Sequence, residues 1–309
     1  MVINTSQTDV SLPEPNSHQT FAIVSALEAG IIHLPLQRFV QGSGPNEVSI
    51  CPSLAFSISH KPSGAHLVFD TGLRRDVLSY PPAVQESIKQ RGFPIQVPQS
   101  VDESLRKGGI APEDVKTVIL SHIHFDHIGD ASAFPNATFI LGPGARGKLE
   151  AGYPHNPNAG ILHNTVPFER TRFLSDTDFT TSVGPFPRAY DYFGDGSLYI
   201  IDAPGHCAGH INILARTSGD GAWIYLAGDT AHDVRILTSE RGVAYSIDDG
   251  GHVHCAHDDK EKAEEHICRV QALLAMPRVQ VLLAHDKNWY EENRGSNAFL
   301  PGFIQPLSC

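Results

Sequence analysis

A layered α/β fold is what this sequence predicts, and three observations predict it. Short apolar runs recur along the chain, each bounded by Gly, Pro or Asp, as strands buried in a sheet read. Helical patterns are fewer and lie between those runs rather than in a block of their own. The composition is that of a globular protein, with 41% hydrophobic and 18% charged residues, no low-complexity block and no clear internal repeat.

Taken in order, the run at 66–69 reads as a strand stopped by Asp70-Thr71-Gly72. A second, 115–120, is entered from the turn Pro112-Glu113-Asp114 and left at Ser121. Runs at 138–141, 198–201, 211–215, 223–227 and 279–284 complete the main set. Helices are expected over 74–80, 101–107 and 259–276, the last with acidic residues at its start and Pro277 just past its end. The Gly- and Pro-rich stretch at about 142–195 reads as a long loop insertion in one domain spanning 21–309, preceded by a polar segment, 1–20.

With 23 basic and 34 acidic residues the formal charge is -11. Such a surface repels phosphate backbones, so no nucleic-acid partner is expected. Five scattered cysteines without a CxxC pair make no disulfide framework and fit a reducing compartment. The first twenty residues hold no Lys or Arg, and the apolar stretch 21–27 is short and stopped by Glu28, which is unlike a signal peptide. No run is long enough to span a bilayer. The expectation is a soluble cytoplasmic protein with no membrane partner.

The chemistry sits where strands end. The 115–120 run is followed by Ser121-His122-Ile123-His124-Phe125-Asp126-His127. On a loop leaving a strand, His122 and His124 can converge on one metal while Asp126 and His127 turn toward a neighbouring one. Imidazole and carboxylate are the ligands zinc takes when a site keeps a position open for water. A surface histidine cluster is the bland reading, and it fits HxHxDH directly after an apolar strand poorly. His206 follows the strand ending at Ile201, Asp229 follows 223–227, and His285 follows 279–284. Four such placements at the carboxyl ends of strands point to one site.

This set, His122, His124, Asp126 and His127 followed by His206, Asp229 and His285, resembles the ligand pattern of the metallo-β-lactamase superfamily. The resemblance implies an αββα sandwich, two mixed β-sheets flanked by helices, and a cofactor of two divalent metal ions, Zn2+ by default. It implies His122, His124 and His206 on one metal, Asp126, His127 and His285 on the other, and Asp229 bridging. Asp70 matches the superfamily's early Asp, a group that orients a ligand. The phrases 121–129 and 203–210 are most similar to N-acyl homoserine lactonases. Those carry a Tyr three residues after the bridging Asp, where this chain has His232, a residue able to donate a hydrogen bond or move a proton. The implied reaction is the opening of a cyclic ester or amide by a metal-bound hydroxide, with Asp126 or His232 returning the proton. A homodimer is a family expectation.

Alternatives stay open on sequence alone. A cyclic carbamate of the benzoxazolinone type, which some fungal relatives of this branch open, is an alternative for the ring. Glyoxalase II-like thioester hydrolysis uses the same ligands, although only 286–309 follow the last of them. Flavodiiron proteins typically place Glu where His124 stands, and a degenerate binding module would tend to lose ligands this chain retains. Other residues read more plainly. His252, His254 and His257 fall in a Gly/Asp-rich loop and read as exposed or rim residues. Cys207 and His210 read as packed, and Phe168, Phe173, Phe186, Tyr190, Tyr192 and Phe193 as packing or as a pocket lining.

Overall fold

The computed structural model describes residues 11–90 and 92–308; the first half of the polar segment 1–20, together with Arg91 and Cys309, lies outside the described residues. Two six-stranded sheets dominate. The first runs β1 (Ala22–Leu27), β2 (Ala55–His60), β3 (Ala65–Phe69), β4 (Thr117–Ile119), β5 (Thr138–Leu141) and β6 (Thr171–Phe173), in that spatial order. The second runs β7 (Thr181–Val183), β8 (Phe186–Asp191), β9 (Leu198–Asp202), β10 (Ile211–Arg216), β11 (Trp223–Leu226) and β12 (Val279–Leu282). In the first sheet β1 to β3 pair antiparallel and β3 to β6 parallel. In the second, only β11 and β12 are parallel.

Strand alternation decides what each face packs against. Phe56, Ile58, Leu67, Phe69, Ile119 and Ile140 of the first sheet meet Leu198, Ile200, Ile211, Ile213, Ile224 and Leu226 of the second in one core. The intervening residues face outward. Val68, Val118, Phe139 and Leu141 pack on Leu105 and Leu149 of α2 (Val101–Lys107) and α3 (Ala145–Glu150), which follow α1 (Pro82–Gln90) in the chain. Ile201, Leu214 and Tyr225 pack on Ile267, Val270 and Leu273 of α5 (Lys260–Leu274), which follows the short α4 (Val234–Leu237) and precedes α6 (Lys287–Asn293). The layers are therefore helix, sheet, sheet, helix. Two smaller pieces complete the fold: a sheet of Ile31–Pro35, Val48–Pro52 and Ile95–Gln96, and a hairpin of Tyr245–Ile247 and Val253–Cys255.

Several expectations are corrected. The stretch 142–195 is not a long loop; it holds α3 and strands β6, β7 and β8. β6 and β7 are three-residue edge strands, and β8, which carries Pro187, Arg188 and Asp191, lies between β7 and β9; hydrogen-bonded pairing, not periodicity, makes them strands. Residues 74–80 form only a short 3-10 turn, Val77–Ser79; the helix begins at Pro82, whose fixed φ suits a first helical turn. Helix α5 agrees with its expected bounds to within two residues, capped by the Asp259 side chain accepting from the Lys262 amide at 3.1 Å. No helix among the described residues is long and apolar enough to cross a membrane.

Candidate metal centre

Every candidate ligand lies just past the carboxyl end of a strand, on the edge where the two sheets meet. Beyond β3, Asp70 adopts a left-handed φ of 60°. There it accepts from the Ser121 amide at 2.6 Å, the Ser121 hydroxyl at 2.7 Å and His127 Nδ1 at 2.9 Å. Ser121 Oγ, its proton given to Asp70, accepts from His122 Nδ1 at 3.0 Å. His285 Nδ1 donates to the Pro52 carbonyl at 2.8 Å. In His122, His127 and His285 one nitrogen is thus tied back and Nε2 is left facing inward, the arrangement by which a second layer of partners aims metal-binding imidazoles.

Two clusters result. His206 Nε2 lies 3.2 Å from His122 Nε2 and 3.0 Å from His124 Nδ1. Nitrogens held tetrahedrally at zinc distances stand about 3.3 Å apart, so these three are spaced as ligands of one ion would be. In the second cluster His285 Nε2 is 3.4 Å from both Asp126 Oδ2 and Asp229 Oδ1, and His127 Nε2 is 3.2 Å from Asp229 Oδ1. His127 Nε2 and Asp229 Oδ1, though that close, have no hydrogen-bond partner and are buried. Donor atoms that converge without bonding one another fit a cation between them. Asp229 turns its other oxygen to the first cluster, with Oδ2 3.7 Å from His122 Nε2 and 3.5 Å from His206 Nε2.

Charge follows the same division. Burial, with the neighbouring imidazoles adding to it, holds His122 and His206 well below their ordinary pKa, as free-base donors. Burial also opposes a charge on His127, yet Asp229, Asp126 and Asp70 override it and push its pKa up to about 10. His285 is raised for the same reason, chiefly by Asp229. Without a metal, then, protons on His127 and His285 compensate the buried Asp126 and Asp229; a divalent ion meets the same demand and would release them.

Backbone geometry brings Asp229 into place. Gly228 has φ 48°, and a Cβ there would stand 2.9 Å from His210 Nε2. His210, expected only to pack, does more: its Nδ1 donates to the Ala203 carbonyl at 2.8 Å and its Nε2 accepts from the Asp229 amide at 3.2 Å. Cys207 lies among the first cluster's donors, but burial pushes its thiol up to about 12, which makes it a packed thiol as expected.

One residue of the centre escaped sequence reading. His252 and His254 are exposed on the hairpin, bonded to Asp248, but His257 is buried, with its Nδ1 3.2 Å from His206 Nδ1. Burial lowers the His257 pKa to about 3, so it is neutral and can accept from His206 Nδ1–H, which fixes His206 Nε2 as a free donor. The sequence signal is no stronger for His257 than for its two exposed neighbours. His257→Ala is expected to weaken zinc binding at the first cluster by about 10–100-fold, read by chelator competition. Unchanged affinity would show that His206 needs no such partner.

The cavity over the clusters, about 230 Å3, is lined by Ile32, Leu34, Phe39, Phe93, Phe125 and Ala256 beside His232 and five candidate ligands, His124, Asp126, His206, Asp229 and His285. None of the six aromatics expected as packing or pocket lining borders it. Phe186 stacks on Tyr225 in the core, Tyr190, Tyr192 and Phe193 pack half-buried against the inter-sheet core, and Phe168 and Phe173 lie against Arg146. Of the cavity aromatics, Phe125 belongs to the 121–127 motif, whereas Phe39 and Phe93 come from segments that show no motif.

A family model described as the metallo-beta-lactamase superfamily matches residues 51–262. The chain is 34% identical over 256 residues to cytochrome P450 monooxygenase mpaDE' of Penicillium brevicompactum, a match covering 76% of this chain and 30% of that protein. It is 39% identical over 172 residues to gamma-lactamase MBL2 of Gibberella moniliformis, covering 54% of this chain and 70% of the relative. In three dimensions it is similar to B. thuringiensis AiiA with N-decanoyl-L-homoserine bound, with TM-score 0.70 and 17% identity over 93% of this chain and all of that one.

Proposed function

From a chain that belongs to the metallo-beta-lactamase superfamily, and is a hydrolase of it, we propose a hydrolase that holds two divalent ions and opens a small cyclic ester or amide. The observation that carries this reading is Asp229, whose two oxygens face two separate sets of buried donors. His122, His124 and His206 would hold one ion, Asp126, His127 and His285 the other, and zinc suits the donor set. When bound, such a pair supplies Lewis acidity for a carbonyl and lowers the pKa of water toward neutrality. Among the described residues the free cysteines Cys51, Cys207, Cys255 and Cys268 fit a reducing, cytoplasmic setting.

The chain's own residues supply the rest. The apolar walls of Phe39, Phe93 and Phe125 exclude bulk water and strengthen polar interactions inside. His232 lies on Phe39, ring centroids 4.6 Å apart, with Nε2 3.2 Å from Asp229 Oδ2 and a buried, unpartnered Nδ1. The imidazole can hold a hydrogen bond to the ring heteroatom and deliver a proton, which matters most for an amine, a poor leaving group when unprotonated. Asp126, on the same cavity, is the other residue able to return a proton. The name of the gamma-lactamase relative supports a nitrogen ring.

His232→Ala is expected to lower kcat by about 100-fold with metal content intact, since positioned acid–base groups contribute at least that much. Loss of metal together with turnover would make His232 a ligand, and unchanged turnover would remove it from the reaction. The reading as a whole is tested by offering the zinc-loaded protein acyl homoserine lactones, γ-lactones, aryl lactams, benzoxazolinone and S-lactoylglutathione, with mass detection. Opening of any ring supports it; thioester hydrolysis alone, or one bound metal at saturation, overturns it.

A further inference from the structure

The substrate space does not end at the metal ligands. Phe39, Phe93 and Ala256, which line the cavity over the two clusters, also line a second and larger cavity of about 480 Å3. Its near wall is the 3-10 turn Leu36–Arg38, and its far wall is the hairpin, through Tyr245, Ser246 and Cys255. Phe39 and Phe93 meet edge to face, ring centroids 6.2 Å apart, where the two cavities join. The inner cavity of about 230 Å3 holds little more than a small ring, whereas ligand sites commonly exceed about 300 Å3. A substrate that uses the whole space extends from the metals past Phe39 and Phe93.

The charges on that outer cavity are one-sided. Among the described residues no Asp or Glu lines it, and Arg38 is the one lining residue with a permanent positive charge. The Arg38 guanidinium lies over the Phe93 ring at 5.3 Å from its centroid. It has no hydrogen bond or carboxylate partner among the described residues, unlike Arg75, bound to Glu103, or Arg188, bound to Asp202. The nearby cation Lys260 is satisfied by Glu264 and the Tyr245 ring, and His254 by Asp248. In a chain of net charge -11, an unpaired guanidinium held by a ring at the mouth of an apolar cavity has the chemistry of a carboxylate reader.

We infer that the outer cavity is the distal half of the substrate site, and that it takes an apolar arm ending in a carboxylate bound by Arg38. The ring to be opened sits at the metals, so this assignment rests on the ring-opening reading above. Arg38 would act on specificity and not on the chemical step, because the group it binds lies across Phe39 and Phe93 from the reacting carbonyl.

The test compares matched twins, N-acyl homoserine lactones and aryl γ-lactams whose side arm ends either in a carboxylate or in its methyl ester, over a series of arm lengths. Each is measured with the zinc-loaded wild type, Arg38→Met and Arg38→Lys. Met keeps an unbranched apolar stem at an exposed position, so the turn should fold. In the wild type the carboxylate twin of fitting length is expected to be favoured about tenfold in kcat/KM, and less so at high salt. Arg38→Met should remove that preference and leave the ester twin unchanged, and Arg38→Lys should restore part of it. No preference in the wild type, or a preference that survives in Arg38→Met, overturns the assignment. Binding of both twins is followed in parallel by calorimetry. If neither ring is opened, the ring-opening reading fails, while a tenfold binding difference that Arg38→Met abolishes still upholds the carboxylate site, and its absence still defeats it.

Discussion

Asp229→Ala is expected to reduce kcat/KM by about 1000-fold or more and to lower zinc content from two equivalents to one or none. The side chain offers one oxygen to each cluster, so its removal deprives both of a donor at once, unlike the loss of any single histidine. The scale is that of removing a preorganised electrostatic group from a water-excluded site. The fold should survive. The loop is held by backbone bonds, Ala284 N–H to the Gly228 carbonyl at 3.0 Å and the residue 229 amide to His210, neither of which uses the carboxylate. Metal analysis, kinetics and far-UV circular dichroism on one preparation check this. A folded variant that keeps two metals and activity within tenfold of wild type would refute the bridging role.

The second large effect comes from a residue with no side chain. Gly205 has φ 124°, and a Cβ there would fall on the backbone nitrogen of Ala263 in the first turn of α5. The same contact is stitched by the Asp258 amide donating to the His206 carbonyl at 2.8 Å and the Asp259 amide to the Gly205 carbonyl at 2.9 Å. Gly205→Ala must push the loop away from the helix, taking His206 from His122 and His124 and His257 from His206. The expected result is a loss of about 3 kcal/mol in stability, from backbone strain and overpacking, together with weaker metal binding at the first cluster. Gly147→Ala is the control. Gly147 lies in α3 with open space where its Cβ would be, and the change should be neutral or slightly stabilising. Equal denaturation midpoints for wild type and Gly205→Ala would show that the loop and helix are not in the close contact described.

The long strands of the core are legible in the sequence because they are buried on both faces. Leu198–Asp202, Ile211–Arg216 and Trp223–Leu226 are flanked by the inter-sheet core on one side and helix-packed residues on the other, so nearly every position is apolar. Ala55–His60 is not legible, since Ser57 and Ser59 interrupt its run although Phe56 and Ile58 point into the core. Thr171–Phe173 and Thr181–Val183 read as loop because sheet-edge strands need little apolar surface, and Phe186–Asp191, an inner strand, because Pro187, Arg188 and Asp191 interrupt its apolar pattern; the identity of all three comes from the partners they bond. His232 is legible as a candidate from its place three residues after Asp229. His257 is not, since nothing local separates it from His252 and His254.

By itself, the sequence determined the layered α/β class, the family, and the positions from which His122, His124, Asp126, His127, His206, Asp229 and His285 start. These depend on local matters: an apolar run long enough for a strand, and a ligand-type residue just after it. Only the tertiary structure decided how those residues meet. It gave Asp229 one oxygen for each cluster, placed His257 behind His206, and brought Phe39 and Phe93 from segments without a motif to join the metal cavity to Arg38. The physical reason is distance along the chain. His206 and His257 are 51 residues apart, and His122 and His206 are 84 apart. No local pattern encodes such pairings; they are set by the packing of two sheets whose carboxyl ends share one edge.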